Sequence, residues 1–105
     1  MIARLWRGRA SRESADAYVR HFTESVAPGL DRLAGHRGAY LLKRETAGRI
    51  EFLAVSLWDS LAAIRGFAGT YPERAVVEPE ARAVLSEADL FARHYEIVFR
   101  SGETG

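Results

Sequence analysis

Residues 50–58, IEFLAVSLW, constrain the fold more than any other stretch of the chain. On the period of two of a strand, Ile50, Phe52 and Ala54 point one way and Leu53, Val55 and Leu57 the other. A half-exposed strand alternates apolar with polar residues. This one is apolar on both faces, so each face needs a cover. Asp59 or Ser60 then caps a helix, in which Leu61, Ile64 and Phe67 or Ala68 share one side. That helix can cover one face of the strand, and the other face needs a different partner.

The surrounding elements follow from pattern. Residues 2–8 alternate, with Ile2, Arg4 and Trp6 on one side and Ala3, Leu5 and Arg7 on the other, which predicts a strand. Ser11 caps a helix whose apolar stripe is Ala15, Tyr18, Val19, Phe22 and Val26, and Pro28-Gly29 is expected to stop it. Residues 35–45 form a second strand, and Ala47-Gly48 turns it into the apolar strand as a hairpin. Residues 70–92 read as irregular or short-helical, punctuated by Pro72 and Pro79. A last strand is expected over 93–100. The order β-α-β-β-α-β predicts an α+β fold, ferredoxin-like, with an antiparallel sheet and its helices on one face. One domain is expected over 1–100, with a flexible tail at 101–105. The uncovered sheet face leads to a homodimer packed sheet to sheet.

Charge and composition narrow the function. Fifteen basic residues face fourteen acidic ones, a net charge of +1, which gives no reason to expect nucleic acid or an anionic membrane as partner. There is no cysteine, so disulfides, thiolate nucleophiles and Cys-based zinc sites are excluded. His21, His36 and His94 lack close metal-ligand spacing, and no metal is expected. No phosphate-binding glycine loop or G-x-S-x-G elbow is present. Arg4, Arg7 and Arg9 interrupt the opening residues, so no signal peptide is read there and a cytoplasmic location is expected.

MIARLWRGR, HRGAYLLKR, FLAVSLWDSLAAIRGFAG, YPERAVV and HYEIV together resemble the antibiotic biosynthesis monooxygenase-like family across about residues 1–100. The resemblance implies a dimeric α+β barrel. It also implies a cofactor-free monooxygenase acting on a small aromatic, phenol or quinol substrate, with a cleft between sheet and helices and no cofactor. Trp58 is similar in place to a tryptophan lining that cleft in the quinol-oxidising type. Two departures stand out: Ala54 where those enzymes carry asparagine, and Ile64 where they carry tyrosine. The heme-degrading branch fits less well. Arg7, Phe67 and Val77 stand where it carries asparagine, tryptophan and a histidine iron ligand, so heme degradation is not expected.

Six residues are the candidates for a site. Trp58 either stacks on an aromatic substrate and donates its N–H or simply anchors the strand-helix turn in the core. Ser56 shares its face, and Phe67 would add an aromatic wall. Arg7 would hold a phenolate or carboxylate if its face meets the helices; otherwise it is a strand-end arginine reaching water. His94 is a candidate general base, or an interface residue paired with an acid. Tyr71 lies in the segment that could lid the cleft. The alternative to an enzyme is a non-catalytic dimer that binds a small molecule or merely associates.

Overall fold

The computed structural model describes residues 1–102; the last three residues of the expected tail lie outside the described ones. The strands are β1 (Ile2–Ala10), β2 (His36–Thr46), β3 (Arg49–Trp58), β4 (Glu87–Ala88) and β5 (Arg93–Glu96). The helices are α1 (Arg12–His21), α2 (Ala27–Asp31), α3 (Leu61–Ala68) and α4 (Pro79–Val84), with a π-helical stretch Phe22–Val26 joining α1 to α2. The sheet is antiparallel in the order β2-β3-β1, and β4 and β5 share the outer edge of β1. This is the ferredoxin-like α+β arrangement, with its fourth strand in two pieces.

Ladder register assigns the faces. Ile2, Arg4, Trp6, Gly8 and Ala10 lie opposite Trp58, Ser56, Ala54, Phe52 and Ile50. Directly opposed residues share a face, and this is the face the helices cover. Tyr18 and Phe22 pack with Phe52 there, and Leu30 and Ile64 pack with Trp58. The opposite face carries Leu5, Leu53, Val55 and Leu57 in the middle, with exposed Tyr40, Leu42 and Tyr95 around them. Among the described residues the core clusters lie on the helix-covered face and not on this one. At its far end Glu51 is buried, with Arg7, Arg9 and Arg44 within ion-pair distance.

Two expectations are corrected. Pro28-Gly29 does not stop the first helix. The chain passes through the π-helical stretch, in which the Ala27 N–H bonds Phe22 O five residues back, and Pro28 then sits in the first turn of α2. A proline inside an α-helix collides with the carbonyl four residues earlier. A widened turn just before it removes that conflict, as a first-turn position does. The last strand is also shorter than expected. Pairing ends at Glu96, with one further backbone bond from Ile97 to Met1, and Phe99 is 81% exposed.

Gly35 fixes how α3 meets the sheet. Its φ is +84°, its carbonyl accepts from the Asp59 N–H at 2.9 Å, and an added Cβ would stand 2.5 Å from Ala63 Cβ. Alanine there meets both backbone strain and a backbone-anchored neighbour. Gly35→Ala is expected to cost about 2–3 kcal/mol, read as a lower urea midpoint with an unchanged m-value. At the same junction Ser60, rather than Asp59, caps α3 by accepting from the Ala63 N–H. Asp59 instead takes two bonds from Arg37.

Candidate active site

Between the helix-covered face and the helices lies a cavity of about 60 Å³. Its apolar wall includes Trp6, Tyr18, Phe22, Ala54, Phe67 and Ala81, and its polar groups are Arg4, Ser56, His21 and Glu78. Each element contributes by its period. Arg4, Trp6, Ala54 and Ser56 are alternate residues of β1 and β3, and Tyr18 of α1 stands one turn before Phe22. The π-helical stretch contributes Phe22 and Val26 to the lining, a setting in which such wide turns recur. Val76, Val77 and Glu78, between α3 and α4, close the top.

Arg4 is the group that sequence reasoning passed over. It is 4% exposed. Its Nη1 donates to Pro72 O and approaches His94 Nε2, and its Nη2 donates to Arg74 O at 2.9 Å. The Phe67 ring lies beneath it, 5.5 Å from Cζ to the centroid. Burial lowers its pKa, which Glu73 partly opposes.

A guanidinium only donates, so His94 Nε2 accepts and the ring is the neutral tautomer with its proton on Nδ1. His94 Nε2 stands 2.8 Å from Arg4 Nη1. Burial and the Arg4 charge both lower the His94 pKa, against a smaller opposing effect of Glu73. Its lone pair is thus engaged in holding Arg4, whereas a general base needs that pair free. The depressed pKa has a consequence for stability. The unfolded chain binds the His94 proton more readily than the folded one, so this contribution is complete above the ordinary histidine range. It is lost as pH falls through about 6.5 toward the depressed folded value. Wild type is expected to lose stability across that window, and His94→Gln to flatten this component of a urea-midpoint-against-pH curve.

Tyr18 is buried, and its hydroxyl has no protein hydrogen-bond partner among the described residues. Among those residues the only sealed side-chain polar atom without a partner is His36 Nε2, so the Tyr18 hydroxyl is not sealed, and Tyr18 is a lining residue of the cavity. Burial, and then the Glu78 charge, push its pKa up to about 12. It therefore stays protonated and available as a donor. His21 Nε2 and Glu78 Oε1 meet at the rim at 3.2 Å.

The six expected site residues divide. Ser56 and Phe67 line the cavity together. Trp58 does not line it: at 0% exposure it lies beneath, stacked on Phe67 at 5.8 Å and donating to Ser56 Oγ at 2.8 Å. That bond occupies an acceptor position of Ser56 and leaves its hydroxyl proton free to donate. His94 touches the site only through Arg4. Tyr71 is 67% exposed, with the Arg74 guanidinium over its ring, and lies outside the lining. Arg7 is on the opposite sheet face, paired with Glu51 at 3.9 Å and Asp89 at 3.6 Å. The condition under which it would have lain beneath a cleft is not met, and the cation in that place is Arg4. The same alternation places Trp6, not Arg7, toward the cavity on β1.

Comparisons with known proteins bear on the fold and the family. Structures of similar shape include a point mutant of MhuD with two manganese protoporphyrin IX molecules bound per active site (TM-score 0.70, 20% identity, 98% of this chain and 100% of that one). Another is a Bacillus cereus protein bearing the antibiotic biosynthesis monooxygenase name (TM-score 0.69, 14% identity, 100% and 98%). A third, with the same family name, is from Chloroflexus aurantiacus J-10-fl (TM-score 0.55, 17% identity, 98% and 96%). Identities this low carry the fold and not the ligand. A search of curated proteins finds no match. The family model for antibiotic biosynthesis monooxygenase matches residues 1–84, most of the chain and every cavity-lining element from β1 through α4, and the chain belongs to that family.

Proposed function

We propose that the protein is a cofactor-free monooxygenase acting on a small aromatic substrate, a phenol or quinol, and that it works as a homodimer. The observation that carries the reading is the cavity itself. It is walled by Trp6, Tyr18, Phe22 and Phe67 and carries hydroxyl donors at Ser56 and Tyr18. Flat aromatic walls suit a ring, and hydroxyl donors suit a developing oxyanion. In an anthrone-type substrate a CH₂ group and O₂ become C=O and H₂O, so the substrate itself supplies all the electrons. The protein binds the ring, excludes water and moves a proton. His21, beside Glu78 at the rim, is the candidate base for that proton.

The cavity is smaller than the roughly 150 Å³ that admits benzene in an engineered core. At about 60 Å³ it admits a ring only if its lining side chains shift. The dimer reading rests on the uncovered sheet face: Leu5, Leu53, Val55 and the exposed Tyr40, Leu42 and Tyr95 are apolar enough to need a partner. Sedimentation at micromolar concentration is expected to give twice 11.7 kDa; a stable monomer removes this half of the proposal.

The chemistry is tested by oxygen uptake with a panel of quinols and anthrone-type phenols in metal-free buffer. Uptake above the no-protein rate that falls by about tenfold or more in Tyr18→Phe and Ser56→Ala supports it. Binding of the panel without uptake favours the second reading, a non-catalytic binding protein. The observation on that side is that Phe67 and Ile64 already fill the space against Trp58.

A further inference from the structure

We infer that the ligand of this cavity is an anion, an aromatic carboxylate whose two oxygens are received by Arg4. The inference rests on the reading of the cavity as a ligand site and adds the charge of what enters it. Its basis is a contrast between the two charged residues that the fold buries, Arg4 and Glu51. Glu51 has Arg7, Arg9 and Arg44 within ion-pair distance. Arg4 has no carboxylate within that distance among the described residues: its partners are two backbone carbonyls and a neutral imidazole. Glu73 acts on it only from further away. A buried charge is costly unless an opposite charge meets it, and here the open side of the charge is the cavity.

The donor count agrees. A guanidinium has five N–H groups in a rigid plane. Nη1 spends two on Pro72 O and His94 Nε2, and Nη2 spends one on Arg74 O. One N–H on Nε and one on Nη2 remain without a protein acceptor, a number that matches the two oxygens of a carboxylate. The bonds already made hold the fork still. Pro72 and Arg74 belong to the segment that closes the cavity, so one side chain both ties down the cover and presents a charge beneath it. Phe67, held between Trp58 and the guanidinium, lines the cavity beside that charge.

The test compares 2-naphthoate with 2-naphthamide, which have the same shape and differ in charge, by titration calorimetry on the full chain. Wild type is expected to bind the acid about ten- to a hundredfold tighter than the amide, the worth of a charge-assisted bond over a neutral one. Arg4→Gln, which can still donate to a carbonyl, is expected to erase that preference. Equal binding of acid and amide by wild type overturns the inference and leaves the cavity reading intact. Binding of neither at millimolar concentration overturns both. The wild-type comparison stands alone if Arg4→Gln fails to fold. If the variant folds and keeps the preference, Arg4 is not the receiving group and the inference fails.

Discussion

Replacing Trp58 by alanine is expected to destabilise the protein by about 3–5 kcal/mol, the range for emptying a large aromatic site in a packed core. In a domain of this size the melting temperature would fall by at least about 10 °C. The indole is fully buried, stacks on Phe67, and meets the His36 ring edge-on at 5.0 Å. It sits where β3 ends and the capped turn into α3 begins, so its loss loosens both. Trp58→Phe separates packing from the polar bond. It keeps most of the apolar area and gives up the donor to Ser56 Oγ, at an expected cost of about 1 kcal/mol beyond the lost ring area. A melting temperature within a few degrees of wild type for Trp58→Ala would contradict the assignment of Trp58 to the core.

The same contacts govern what a loss of activity in Trp58→Ala means. Phe67 rests on Trp58 and Arg4 rests on Phe67, and Ser56 receives its orientation from the indole N–H. Removing Trp58 disturbs three cavity residues without Trp58 touching the cavity. Uptake that disappears in this variant therefore does not place the chemistry at the tryptophan. Tyr18→Phe and Ser56→Ala, which remove single hydroxyls, locate it better.

How much was legible in the sequence depended on which question period answers. Alternation and the three- to four-residue stripe identified β1, α1, the hairpin of β2 and β3, and α3. Ala47 and Gly48 both take positive φ, as a tight hairpin turn requires. Alternation also separates Arg4 from Arg7, but it does not say which side meets the helices. Ala3 and Leu5 beside Arg7 look as apolar as Ile2 and Trp6 beside Arg4. The answer lies in the register, which sets Arg4 opposite Ser56 and Arg7 opposite Leu53, and register depends on partners distant in sequence. A clue was present in Trp6-x-Gly8. A Cβ at Gly8 would stand 2.8 Å from the Trp6 ring, so the ring folds back over the glycine on the packed side. Tyr18 enters the sequence reading only as part of an apolar stripe, which does not show that its hydroxyl is unsealed. The expected final strand runs past Glu96 because Val98 and Phe99 continue a β-rich pattern, although among the described residues no strand pairs with them.

Filling the void gives the sharpest separation of fold from function. Ala54 is half-buried, lies opposite Trp6 in the ladder, and lines the cavity. Ala54→Leu adds three carbons to a space of about 60 Å³. At roughly 24 cal/mol per Å³ of void removed, the gain would reach about 1 kcal/mol if the leucine adopts a relaxed rotamer. Overpacking would offset some of it, so stability is expected to be unchanged or slightly higher. Ligand binding is expected to fall at least about a hundredfold, because the ring and the leucine compete for one volume and neither Ala54 nor its strand can retreat from a packed sheet. Oxygen uptake would be lost with it. The two effects have opposite signs, and no general weakening of the fold produces that combination. Uptake that survives in a stable, cavity-filled variant would place the chemistry outside this cavity, and the uncovered sheet face would then be the next place to look.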